Sequence, residues 1–180
     1  MATEWTSDQT IIRTEDGETV HIVRDEDAQN PRTEWENAGT MVCFHRRMTL
    51  GDKHSFASPE AFQDFVDEEQ PPVVLPVFLM DHSGLAIRTT PFSCPWDSGQ
   101  AGWIYIDNAK FKQEFGSATR ENIAKAVKLL EAEVSTYNDY LGGNVWGFVK
   151  YDDQKNVIDS CFGFYGDNFA ENGLNEAAGI

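Results

Sequence analysis

Between residues 119 and 141 the apolar side chains Ile123, Val127, Leu130, Val134, Tyr137 and Leu141 recur at intervals of four, three, four, three and four. That spacing draws one continuous stripe along an α-helix, and Gly142-Gly143 supplies the residues that end it. The other apolar segments are short and rich in β-branched or aromatic residues. Residues 10–14 and 19–24 flank Glu15-Asp16-Gly17-Glu18, a hairpin pattern in which Asp-Gly provides the tight turn. Residues 40–46, 73–80, 85–89 and 102–106 read as further strands, and Pro76 makes the second of these either a bulged buried strand or an edge strand. Residues 145–151 and 157–164 form an aromatic hairpin around residues 152–156. A second, shorter helix is marked by Ser58-Pro59-Glu60, with serine at the N-cap and proline in the first turn, and Pro71-Pro72 stops it.

Strands joined by hairpins, one long helix, and no βαβ alternation predict an α+β domain: a mostly antiparallel sheet packed against the long amphipathic helix and one or two short ones. The aromatic residues Trp146, Phe148, Phe162 and Phe164 are expected to receive the long helix, leaving the opposite sheet face or the loops at one end for function. A length of 180 residues fits a single domain, with residues 1–9 and 167–180 loosely ordered. No apolar run approaches the length of a membrane helix, and the N-terminus lacks a signal-peptide pattern. The three cysteines Cys43, Cys94 and Cys161 have no paired metal spacing and point to reduced thiols, hence to a cytoplasmic protein.

Thirty acidic against fourteen basic side chains give a net charge of −16. This argues against nucleic acid as a direct ligand, because phosphate backbones are gripped by clustered Lys and Arg. The acids concentrate at the chain ends: residues 1–36 carry −7 and residues 151–180 carry −5, against −4 for everything between. A solvated surface, adaptation to a salty cytoplasm and a polyanionic docking surface are the competing explanations.

Two segments are unlike ordinary scaffold. The first runs from Asp81-His82-Ser83-Gly84 to Pro91-Phe92-Ser93-Cys94-Pro95-Trp96-Asp97-Ser98-Gly99-Gln100. A cysteine-nucleophile reading takes Cys94 as thiolate, His82 as base and Asp97 or Asp81 to orient the ring. The bland reading has Asp and Ser capping turns while Trp96 and Phe92 fill core. His45, Arg46, Asp81, Trp96 and Gln100 are the candidate ligand-binding side chains around it. The second segment starts at Asp25-Glu26-Asp27, where Asp25 and Asp27 could hold calcium or magnesium, although the spacing matches no EF-hand. A plain acidic loop without a cofactor is the competing reading, and Arg32, Arg46 and Arg47 are expected to pair with neighbouring acids.

These motifs, together with Asn30-Pro31-Arg32, the run from Trp35 to Arg47, and Asp159-Ser160-Cys161-Phe162-Gly163-Phe164-Tyr165-Gly166, resemble a family of small uncharacterised proteins encoded by phages, prophages and related mobile elements. The resemblance spans most of residues 20–166. Family members usually carry Asp at the position of Glu36 and Trp at that of Phe162. It implies a setting, the cytoplasm of an infected or lysogenic cell, and no defined activity. Three functions follow as expectations. The first is an accessory protein binding a host or phage protein through its acidic surface, with counter-defence as one such role. The second is an enzyme or small-ligand binder using the His/Cys/Asp groups of residues 81–100. The third is a structural module stabilised by a divalent metal.

Overall fold

The structure, a computed structural model, describes residues 2–6, 9–14, 17–94 and 96–180. In chain order its elements are β1 (Ala2–Thr6), β2 (Gln9–Arg13), β3 (Thr19–Arg24), β4 (Thr40–Cys43), α1 (Pro59–Glu69), β5 (Val73–Asp81), β6 (Leu85–Arg88), β7 (Ser98–Ile106), α2 (Asn108–Phe115), α3 (Arg120–Leu141), β8 (Val145–Tyr151), β9 (Val157–Tyr165) and α4 (Leu174–Ala178). The α+β class is as the sequence predicts. The strands form two antiparallel sheets rather than one, and the chain gathers into two compact units. One unit is built from both chain ends, Met1–Gln29 with Asp139–Ile180; the other is Asn30–Asn138.

The central unit holds the sheet β4-β7-β5-β6. Because successive strand residues point to opposite faces, β7 presents Ile104 and Ile106 on one side and Trp103 and Tyr105 on the other. The first side meets α3. Gly39 lies so close beneath Leu130 and Ile104 that a Cβ there would come within 2.4 Å of Leu130 Cδ2. Tyr137 Oη of α3 accepts the Gly51 amide at 3.2 Å, and Asn138 Oδ1 accepts that of Ile87 at 2.9 Å. The second side meets α1, where Phe62 packs on Trp103 and Tyr105 with ring centroids 5.0 and 5.5 Å away. Both faces of this sheet are therefore covered, and the expected free face does not exist here. The helix starts as the sequence predicts: Ser58 Oγ accepts the Ala61 amide, Pro59 opens the helix, and Gln70 closes it in the left-handed region. Asp107 caps α2 in the same manner.

Pro76 sits in a strand that lies between β7 and β6, and a bulge follows at Val77/Phe78, where β7 contributes Ala101 as the extra residue. Glycine is required beside that bulge, since a Cβ on Gly102 would meet the Val42 carbonyl oxygen at 1.9 Å.

The unit of the chain ends holds the sheet β1-β2-β3-β8-β9. The predicted β2–β3 and β8–β9 hairpins both form; Glu15 and Asp16 of the first turn lie outside the described residues. The start of the chain, expected to be loose, contributes β1 against β2, while Met1, Ser7 and Asp8 lie outside the described residues. The C-terminal segment, also expected to be loose, folds into α4 and buries Leu174 and Ala178 against Val20, Ile22 and Phe148. Trp146, Phe164, Phe169 and Ile180 complete this core. The aromatic residues of β8 and β9 thus receive α4 rather than the long helix. Phe162 is the exception, since it lies exposed over Gly147.

Candidate functional site

β5 and β7 are paired, with Met80 opposite Ser98, and this register brings the two ends of the 81–100 segment, Asp81 to Gly84 and Cys94 to Gln100, to one end of the central unit's sheet. The Asp81 amide donates to the Asp97 carbonyl at 2.9 Å, and the turn after β5 closes with the His82 amide on Gly84 O at 3.1 Å. Ser83 occupies the left-handed region at φ 57° to make that turn. Opposite it, Ser98 Oγ donates to Cys94 O at 2.5 Å and fixes the loop that carries Trp96 and Asp97. The bulge one turn back lies beside this point, as bulges next to sites commonly do.

Between these loops and the chain leaving β4 lies a groove of about 380 Å³, lined by Phe44, His45, Arg47, Asp81, Trp96, Asp97 and Gln100 among others. Five of the side chains that the sequence singles out therefore share one concavity: His45, Asp81, Trp96, Asp97 and Gln100. Arg46 does not; it is exposed, and Arg47 takes the place expected for it, pairing with Asp81 Oδ2 at 2.5 Å. The chain bends at residues 46–47 just past β4, so strand alternation in the sequence does not single out Arg47 over Arg46.

His45 Nδ1 accepts the amides of Met48 at 3.2 Å and Arg47 at 3.4 Å, so its hydrogen sits on Nε2. His82 and Cys94 lie outside the groove lining and meet at Asp97. Its Oδ2 is 3.1 Å from His82 Nδ1 and accepts the Cys94 thiol at 3.7 Å. Imidazole and thiol thus share a carboxylate oxygen, which is a different arrangement from the base-to-nucleophile contact that cysteine catalysis uses. Trp96 stands 91% exposed at the groove, so it fills no core. The lining offers carboxylates, a guanidinium, an imidazole N–H, an amide and an indole face, which is a set for binding a polar ligand.

The metal candidates lie in the other unit. Asp25 Oδ1 accepts the Asp27 amide at 3.1 Å in an Asx turn, and the Asp25 amide donates to Val145 O at 2.9 Å. Among the described residues, no cluster of three or more His, Cys, Asp or Glu side chains is placed to hold a metal ion.

The expected pairing of Arg32 with acids is realised in the central unit as a buried ion cluster, whose burial and Glu133 partner no sequence candidate marked. Arg32, whose side chain is 1% exposed, donates from Nε and Nη2 to the two carboxylate oxygens of Asp52, from Nη1 to Glu133 Oε2 at 2.8 Å and from Nη2 to the Gly39 carbonyl at 2.7 Å. Glu133 Oε1 accepts the Ala38 amide, and Asp52 Oδ2 that of Met41. Burial pulls the Arg32 guanidinium down, but Asp52 and Glu133 more than offset it, and its pKa ends above the ordinary arginine value. The pairing of Arg32 and Arg47 with neighbouring acids follows the sequence reading. Close by, burial pushes the Cys43 thiol up to about 12, with the Asp52 charge adding to it and that of Arg32 opposing it, so this cysteine stays protonated. All three cysteines are free.

No protein-family model matches the chain, and no curated protein or solved structure matches it. Among the described residues, no helix is long and apolar enough to cross a membrane.

Proposed function

We propose that the protein acts without catalysis, by docking onto a partner protein through the acidic unit formed from its two chain ends. One observation carries this reading: the folded unit of Met1–Gln29 and Asp139–Ile180 holds fifteen acids against four bases, a net of −11, whereas the larger central unit carries −5. The acids of two distant chain segments become one field. A field of that sign attracts basic surfaces and speeds encounter with them. The resemblance to phage and mobile-element proteins supports a host or phage protein as the partner, in the cytoplasm of the infected cell, with counter-defence as the role. The test is affinity capture from host-cell lysate across a range of salt concentrations, using the native protein and two neutralised variants. One replaces Glu26, Asp27, Asp153, Asp159, Asp167 and Glu171 by their amides; the other treats Asp64, Asp67, Glu68, Glu69, Glu114 and Glu131 of the central unit alike. A salt-sensitive partner lost with the first set and kept with the second supports the reading. Equal retention by both sets contradicts it.

The second reading is a small-ligand site in the groove of His45, Arg47, Asp81, Trp96, Asp97 and Gln100, favoured by the convergence of these polar groups around an exposed indole. Titrating polar metabolites against the intrinsic tryptophan signal, with Trp96→Phe as the control, tests it. If no compound produces a change that depends on Trp96, the groove is only a surface feature.

A further inference from the structure

β9 ends the five-stranded sheet, and among the described residues no further strand lies along its outer edge. Residues 157–163 are all exposed, and three large apolar side chains stand on this one strand: Val157 at 59%, Ile158 at 48% and Phe162 at 47%. Edge strands of soluble proteins are ordinarily guarded by Lys or Pro. Val157–Tyr165 contains neither, and its one charged residue is Asp159. Phe162 is seated for contact rather than loose. Its ring lies over Gly147, where a Cβ would approach it to 2.2 Å, so the glycine makes the seat.

The charge around this edge is mainly negative, with Lys155 of the turn as the exposed exception. Asp152 and Asp153 open the hairpin turn, and the Asn156 side chain and amide hold the Asp152 carboxyl below its usual range, so it stays ionised. Lys150 of the neighbouring strand is already taken by Glu18 Oε2 at 2.6 Å. Bulges between Lys150/Tyr151 and between Trp146/Gly147 of β8 leave residues 159–162 as the regular stretch of β9. Such interruptions blunt continuous edge-to-edge stacking. A second copy would also bring −11 against −11.

We infer that β9 is the docking edge, and that it takes an extended, positively charged segment of a partner protein as a sixth strand of this sheet. The proposal rests on the acidic-docking reading and narrows it to one strand. The backbone ladder would supply affinity. Alternate side chains of the incoming strand would supply specificity, apolar ones beside Phe162 on one face and basic ones beside Asp159 on the other.

The test uses the whole protein and labelled peptides about ten residues long, the upper end of ordinary strand length. One alternates Val and Lys, one alternates Val and Glu, and a third is the Val/Lys peptide with alternate backbone nitrogens methylated. Fluorescence anisotropy reads binding, and hydrogen exchange reads the amides of residues 157–163. The expected result is binding of the Val/Lys peptide with slowed exchange over residues 159–162. Binding weakens by about tenfold or more with the methylated peptide and with the Ile158→Lys/Phe162→Lys double variant. Binding of the Val/Lys peptide without protection of β9, or equal binding of the Val/Glu peptide, overturns the proposal. So does a dimer in sedimentation that the double variant abolishes, since the occupant would then be a second copy. Lysate capture separates the two levels: a salt-sensitive partner held equally by native protein and double variant sinks the β9 edge and spares acidic docking, whereas no salt-sensitive partner with either sinks both. The methylated peptide keeps the test decisive if the double variant fails to fold.

Discussion

The two units treat the same residue types in opposite ways. In the central unit, Arg32, Asp52 and Glu133 are withdrawn from water and saturated with hydrogen bonds, and helices cover both sheet faces. In the unit of the chain ends, the sheet is closed on one face by a five-residue helix, and the charge carries a large negative excess. Inside, a charge is tolerated only when every partner is present, so it specifies geometry. Outside, it sets a long-range field and leaves local structure nearly untouched. The central unit thus has a large apolar core in which an ionic cluster fixes local geometry, and the chain-end unit has a small apolar plug that must outweigh self-repulsion.

The sharpest way to break this contrast is to remove Arg32. Arg32→Met leaves Asp52 and Glu133 as neighbouring, half-compensated carboxylates and frees the Gly39 carbonyl. A loss of about 3–5 kcal/mol is expected in urea denaturation. Arg32→Lys should recover little, because a single ammonium cannot reproduce the bidentate grip on Asp52 together with the contacts to Glu133 and Gly39. A cost below about 1 kcal/mol, the range of an exposed pair, would mean that the cluster relaxes into water and the contrast fails.

Leu174→Ala probes the other side. Leu174 is fully buried among Val20, Ile22 and Phe148, so truncation should cost about 2–5 kcal/mol. Hydrogen exchange should show the loss in β3 and β8 while α1 and β7 keep their protection. Uniform destabilisation of both units would show that they do not carry separate cores.

The sequence makes some of this legible and hides the rest for physical reasons. The stripe of α3, the Ser58-Pro59 start of α1 and the β8–β9 hairpin are local patterns repeated over several residues, and they fold as read. α4 presents a single turn with two buried residues, Leu174 and Ala178, which is too short to show a period. The split into two sheets depends on β3 pairing with β8 from the far end of the chain, a long-range choice that no local pattern encodes. For the groove, the unusual composition of residues 81–100 is visible in the sequence, and the β5–β7 register makes it one site. The pairing of Arg32 with acids is legible, but its burial and its Glu133 partner stay hidden, because an arginine among acids looks the same in sequence whether solvated or buried.

Two carboxylates of the chain-end unit should respond to pH with opposite signs. Burial raises the Asp139 pKa, the Asp167 charge adds to this, and the Asn144 side chain opposes it. Its folded pKa therefore exceeds its unfolded one, and the stability it contributes is complete at low pH and lost as pH rises through the folded value. Asp139→Asn should raise the Tm at neutral pH, since the amide oxygen can still accept from Asn144, and this gain should vanish below the carboxylate range. Asp152 is the reverse. Its pKa is depressed by Asn156 and Gln154, so its contribution is present above the unfolded pKa and disappears as pH falls through the folded one. Asp152→Asn should lower the Tm at neutral pH and match the native protein in acid. Thermal melts from acid to neutral pH check both, and two curves moving in the same direction would contradict the assigned causes.

The smallest expected effect on stability belongs to Trp96. An indole that is 91% exposed has little surface to lose to water on unfolding, so Trp96→Ala should shift stability by no more than about 0.5 kcal/mol. Exposing so large an apolar ring returns nothing to the fold, and the loop beneath it is fixed by Ser98 and Asp97 rather than by the ring. If the groove binds a ligand, the cost of this substitution appears in affinity and leaves the melt unchanged. A melt shift well above that limit would instead assign Trp96 to packing and take the indole away from the second reading.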